Sequence, residues 1–126
     1  YLPSANLAPT IRATGDLADL AGCEIVLVVT PAQVLGKVLG GLAAPPRDLV
    51  LCSKGIDANT GELMNDVARR AAPASMLAVL SGPTFAHEVA AGLPTAVTLA
   101  CAGGEAQWQR LAPALSRPAF RPYYSD

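Results

Sequence analysis

The sequence predicts an α/β fold: a mostly parallel sheet, wound with helices on both faces. Three observations predict it. Short apolar runs alternate with stretches of helical period along the whole chain. The runs are apolar at nearly every position rather than at every second one, which suits strands covered on both faces. Three of them end in polar or turn-forming segments, "TPAQ", "SKGIDANTG" and "SGPTFA".

The elements follow in order. "TIRAT" (10–14) is expected to be a short strand, and Asp16 to cap a small helix, "LADLA", that stops before Gly22. "EIVLVV" (24–29) is a buried strand. Thr30 then caps a helix and Pro31 suits its first position. Val34, Leu35, Val38, Leu39 and Leu42 give that helix its apolar stripe. "AAPP" (43–46) is a loop leading to a second strand, "LVLC" (49–52). Asn59, with Glu62 three residues on, reads as a capping box. Met64, Val67, Ala68 and Ala71 form the inner face of the helix that follows. "MLAVL" (76–80) is a third strand, and a short helix is expected from Thr84 to Gly92, a C′ glycine. "TAVTLA" (95–100) is a fourth strand. A helix over residues 105–115 turns Trp108, Leu111 and Leu115 inward. "AFRPYY" (119–124) is a fifth strand, confined to a sheet edge by Pro118 and Pro122.

Composition narrows the function classes. The 126 residues suffice for one domain with a substantial core, and 52% of them are hydrophobic. Charges make up only 15% and are scattered, with a net charge of −1, which argues against a nucleic-acid surface. No apolar stretch approaches the roughly 20 residues of a membrane span. The opening "YLPSANLAPT" has neither the basic nor the apolar region of a secretion signal, so a cytoplasmic location is expected. Cys23, Cys52 and Cys101 lie in or beside apolar stretches without metal-ligand spacing and are expected to be buried free thiols, with no metal site. His87, the one histidine, is expected to face water on a short helix, and Arg69 and Arg70 to form a solvated helix end.

Lys54 asks for an explanation. The chain has two lysines; Lys37 sits mid-helix by pattern, whereas Lys54 follows directly on a buried strand. In open parallel sheets, ligands bind beyond the carboxyl ends of the strands. Lys54 is therefore expected at such a ligand-binding end, hydrated or facing an anion. Gly55 and Gly82 are turn glycines at the same end, and a glycine such as Gly82 also lets the backbone approach a ligand closely.

The motifs "VLVVTPAQVL", "CSKGID..TGELM" and "LSGPTFAHEVAAGLPTAVTLA" resemble the bacterial-type NAD(P)-dependent glycerol-3-phosphate dehydrogenases, over essentially the whole chain. The resemblance implies a Rossmann-like sheet in a reductase that interconverts dihydroxyacetone phosphate and sn-glycerol 3-phosphate, with NAD or NADP as cofactor, in the service of glycerophospholipid synthesis. It implies that Lys54 lies where cofactor and substrate meet. It places Gly82 and Thr84 on the substrate, Ala86 on the cofactor side and Pro31 near the nicotinamide. A fixed cation suits carbonyl reduction, which develops negative charge on oxygen, and Thr84 offers a hydroxyl and neighbouring N–H groups to an anion.

The chain departs from the family pattern in one respect that is plain in its residues: no G-x-G occurs in it. Residues 1–126 are accordingly expected to be a partial dinucleotide-binding domain. Its first β-α-β segment, which carries the fingerprint, and the C-terminal helical substrate domain, with the proton-donating lysine, are expected outside this sequence. The 126 residues alone are expected to be inactive. A homo-oligomer is compatible with the main reading. Two other readings stand beside it: another β-hydroxyacid-type dehydrogenase, and a non-catalytic interaction or ligand-sensing fragment.

Overall fold

A computed structural model describes residues 8–126; most of the opening stretch lies outside them. Five strands form one sheet in the order β1 to β5: Ile25–Val28, Asp48–Leu51, Met76–Ser81, Thr95–Cys101 and Phe120–Ser125. β1, β2 and β3 run parallel, Val26 beside Leu49 and Leu49 beside Leu77. β4 runs antiparallel to β3, and β5 parallel to β4. Three of the four pairings are thus parallel.

The helices follow the predicted periods, except that Val34 lies in a 3-10 turn before the first helix and is exposed. Leu35–Gly40 (α1) and Met64–Ala71 (α2) pack on one face through Leu35, Leu39, Met64, Val67 and Ala68, against Val28, Leu49, Leu51 and Leu77. Gly104–Leu115 (α4) covers the other face, where Leu111, Trp108 and Leu115 meet Val50, Ala78, Leu99 and Cys101. The doubly wound Rossmann-like arrangement is therefore present. Ala86–Ala90 (α3) joins β3 to β4, and Gly92 follows it at φ +74, as a C′ glycine should. β5 lies at the sheet edge, where Pro122 costs no ladder bond to a further strand. Asp16 caps the 3-10 turn Leu17–Leu20 through a bond from Ala18 N. Among the described residues, no helix is long and apolar enough to cross a membrane.

Several local expectations fail. Residues 10–14 form no strand, because no neighbouring strand pairs with them. Asn59 is not a cap: Asp57, two residues earlier, takes the amides of Asn59 and Thr60 at 2.9 Å each, so the chain turns there and α2 begins only at Met64. Thr30 caps nothing; Pro31 occupies the cap position of a short 3-10 turn, Ala32–Val34, that leads into α1. β1 is not covered on both faces: Leu27 is 45% exposed and Val29 72%, since α4 packs over β2, β3 and β4 instead. The cysteines are free, but only Cys101 is buried; Cys52 is half-buried and Cys23, just past Gly22, is exposed. Burial pushes the Cys52 and Cys101 thiols above their ordinary range, which favours the thiol over the thiolate.

Candidate functional site

The carboxyl ends of β1, β2 and β3 lie side by side because the three strands are parallel and in register. They bring together Thr30 and Pro31 after β1, Ser53 and Lys54 after β2, and Gly82 to Ala86 after β3. Segments more than 50 residues apart in sequence thus share one shelf.

Lys54 is exposed there, and its Nζ donates to the Gly82 carbonyl at 3.5 Å, the long limit of a hydrogen bond. The ammonium is free of any carboxylate partner among the described residues. Gly55, at φ +130, lets the chain turn away behind it. Ser53 hydroxyl donates to the Thr30 carbonyl at 2.5 Å and ties the first loop to the second. Thr30 Oγ1 is buried without a partner, and such orphaned groups collect at functional sites.

Lys54 and Gly82 are therefore in contact. Gly82 has a structural requirement of its own: an added Cβ would lie 2.9 Å from Val97 Cγ1, 3.1 Å from the Ala96 carbonyl and 3.1 Å from Val97 Cα. The close approach that excludes a side chain is to β4. Thr84 is exposed two residues further on and is not a helix cap, since Phe85 holds that position. Its amide donates to the Gly82 carbonyl at 3.0 Å in a tight turn around Pro83, so the hydroxyl, not the amide, remains for a ligand. Ala86 opens α3 and is exposed; His87 is exposed beside Phe85, with ring centroids 5.9 Å apart.

One residue of the shelf escaped the sequence reading. Gln33 in "TPAQ" donates from Nε2 to the Ile56 carbonyl and accepts from Ala58 N, both at 2.9 Å. The recurrence of "TPAQ" and "SKGI" after successive strands was the available signal, but nothing in sequence pairs them. The shelf itself is open. A more enclosed groove lies elsewhere, between Leu27, Leu80, Val89, Leu93, Leu115 and Phe120, and Lys54 is not one of its walls.

Residues 1–107 match the family model for the N-terminus of NAD-dependent glycerol-3-phosphate dehydrogenase. The chain belongs to this family. A glycerol-3-phosphate dehydrogenase (NAD(P)+) of Novosphingobium aromaticivorans is 69% identical over 126 residues, all of this chain and 38% of that protein. The corresponding protein of Caulobacter vibrioides is 50% identical over 130 residues. Among solved structures, a glycerol-3-phosphate dehydrogenase of Coxiella burnetii superposes with a TM-score of 0.87 at 32% identity, over 100% of this chain and 39% of that one. A Dunaliella salina structure, at 20% identity and TM-score 0.86, shares the fold. This member of the glycerol-3-phosphate dehydrogenase family thus spans well under half the length of the curated relatives it matches.

Proposed function

We propose that the chain is part of the dinucleotide-binding domain of an NAD(P)-dependent glycerol-3-phosphate dehydrogenase, acting on dihydroxyacetone phosphate and sn-glycerol 3-phosphate and feeding glycerophospholipid synthesis. The observation that carries this reading is Lys54. It is an unpaired, exposed ammonium held at the carboxyl end of a parallel sheet, touching Gly82, in a chain that belongs to this family.

The donor set suits an anionic substrate and a dinucleotide. An exposed ammonium at Lys54 and an exposed hydroxyl residue, Thr84, stand near one another at this end of the sheet, on either side of Gly82. Lys54 and Ala86 would meet the cofactor, and Lys54, Gly82 and Thr84 the substrate. The nicotinamide, when bound, supplies the hydride equivalent. The part of this chain is electrostatic: Lys54 stabilises the negative charge that develops on the substrate's carbonyl oxygen, and Thr84 hydrogen-bonds and orients the substrate. The proton for that oxygen is assigned to a lysine of the helical domain, beyond Asp126. A soluble cytoplasmic setting suits these water-soluble reactants.

The test is a nicotinamide absorbance assay on a full-length protein containing this chain, with dihydroxyacetone phosphate and either NADH or NADPH. Substrate-dependent oxidation of the cofactor is expected. A folded protein that reduces a 3-oxo acid but not dihydroxyacetone phosphate would replace this reading with another dehydrogenase.

A further inference from the structure

The shelf depends on where the backbone holds Lys54, because the ammonium's own contact is one 3.5 Å bond to a carbonyl. Two ties flank the residue. On one side Ser53 hydroxyl binds the Thr30 carbonyl. On the other, residues 55–62 fold into a unit of their own. Asp57 carboxylate takes the Asn59 and Thr60 amides, Asp57 N donates to the Glu62 carbonyl at 2.9 Å, and Ile56 bridges to Leu63. Gln33 docks that unit onto the first loop through both ends of its carboxamide.

From this geometry we infer that Gln33 is a positioning residue for the reaction, fixing the loop that carries Lys54 against the loop that carries Pro31. The inference rests on the role proposed above for Lys54. Its physical basis is the match of one donor and one acceptor to the Ile56 carbonyl and the Ala58 amide, which the Gln33 carboxamide provides without a charge. An aliphatic side chain offers neither group. A carboxylate offers two acceptors and sets one of them against the Ile56 carbonyl. Both groups of the Gln33 carboxamide are spent on the backbone of Ile56 and Ala58, just after Gly55, so Gln33 acts through that backbone.

The experiment uses a full-length protein and four variants: Gln33→Leu, Gln33→Glu, Lys54→Ala, and the Gln33→Leu, Lys54→Ala double variant. Amide exchange at Ala58 should accelerate in Gln33→Leu, which reports the lost tie without reference to activity. Its kcat should fall about ten- to hundredfold, since a displacement of about 1 Å at a reacting group costs up to about 10²-fold. In the double variant the second substitution should add little to the first, because both act through the same ammonium. Gln33→Glu should recover as pH falls toward the ordinary glutamic acid value of about 4.3, since the protonated acid again has one donor and one acceptor. The new carboxyl would share the loop with Lys54 and with Asp57, whose carboxyl the Thr60 and Asn59 amides hold below its ordinary value. That recovery ties the effect to the donor–acceptor pair, and the double variant separates positioning of Lys54 from a merely structural role.

If Lys54→Ala is impaired while Gln33→Leu is not, or the two losses simply multiply, the positioning role is overturned and the Lys54 reading stands. Wild-type kcat/KM in Lys54→Ala sinks the Lys54 reading first and the inference with it. Should Gln33→Leu not fold, the pH profile and Ala58 exchange of Gln33→Glu decide the matter alone.

Discussion

The two ends of the same sheet treat charge in opposite ways. At the carboxyl end of β2 stands Lys54, exposed and held by one long bond. At the amino end of the same strand stands Asp48, 1% exposed. Asp48 accepts from Gln107 Nε2 at 2.9 Å and from Arg110 Nη2 at 3.2 Å. Gln107 is itself fully buried, and its Oε1 accepts from Gly103 N at 2.9 Å while its Nε2 also reaches the Met76 carbonyl at 3.3 Å. Every polar atom of that cluster is committed to protein, so it fastens α4 to the sheet and has nothing left for a ligand. Lys54 is the reverse: it contributes little to the fold and keeps its ammonium for another molecule. The difference teaches that a charge reports a binding site through its unspent hydrogen bonds rather than through its position alone.

Breaking the amino-end cluster should have the largest effect. Asp48→Ala takes from the buried Gln107 Nε2 the shorter of its two bonds and leaves Arg110 without its carboxylate, a loss of about 3–5 kcal/mol of stability, seen as a fall in the urea midpoint. An unchanged midpoint would mean the cluster is not holding α4. At the other end, Lys54→Ala should do the opposite. We expect kcat/KM of the full-length enzyme to fall about ten- to hundredfold, the loss of a charge-assisted contact worth roughly 1.5–3 kcal/mol. Stability should change by less than about 0.5 kcal/mol. Comparable losses of stability in the two variants would erase the contrast between the two ends.

Gly82→Ala sharpens the comparison, since Gly82 belongs to both fold and shelf. Its Cβ would press on the backbone of Ala96 and Val97. A cost of about 1–3 kcal/mol from overpacking is expected, measurable by thermal melting. A variant with full stability and lost substrate affinity would show instead that the glycine serves the ligand alone. The smallest effect is in acid. The Thr60 and Asn59 amides hold the Asp57 carboxyl below its ordinary value of 3.8, and the Arg70 guanidinium beside Glu62 holds that one below 4.5. Both are lowered in the folded state. Their contribution is therefore complete above the ordinary values and lost as pH falls through the folded ones. Exchange of the amides of residues 57–62 should rise below about pH 4 before β2 and β3 open. Simultaneous opening of loop and strands would show that the loop has no separate stability.

Much of the fold was legible because it rests on local signals. The apolar runs at residues 24–29, 49–52, 76–80 and 95–100 each became a strand within about a residue of the expected bounds. The helical stripes at Leu35, Leu39, Met64 and Val67 all face the core. Pro118 and Pro122 sent the last strand to the edge as the missing donor of proline requires. Caps were read less well. Thr30, Asn59 and Thr84 all have cap-forming side chains, but Pro31, Asp57 and the turn at Pro83 claimed the backbone first. Of the shelf, Lys54 and Gly82 were legible from strand ends and glycine chemistry, whereas Gln33 was not, since its partners are 23 and 25 residues away.

By itself, the sequence determined where the five strands and most of the helices lie, that the sheet is wound on both sides, and that a lysine stands at a strand's carboxyl end. These follow from side-chain period and backbone preference, which act within a few residues. Tertiary structure alone decided that β4 runs against β3, and that Asp48 is locked by Gln107 and Arg110 from 59 and 62 residues away. It also decided that Lys54 leans on Gly82 from 28 residues away. These depend on distances through space, which an open chain does not define until its apolar faces have closed on one another.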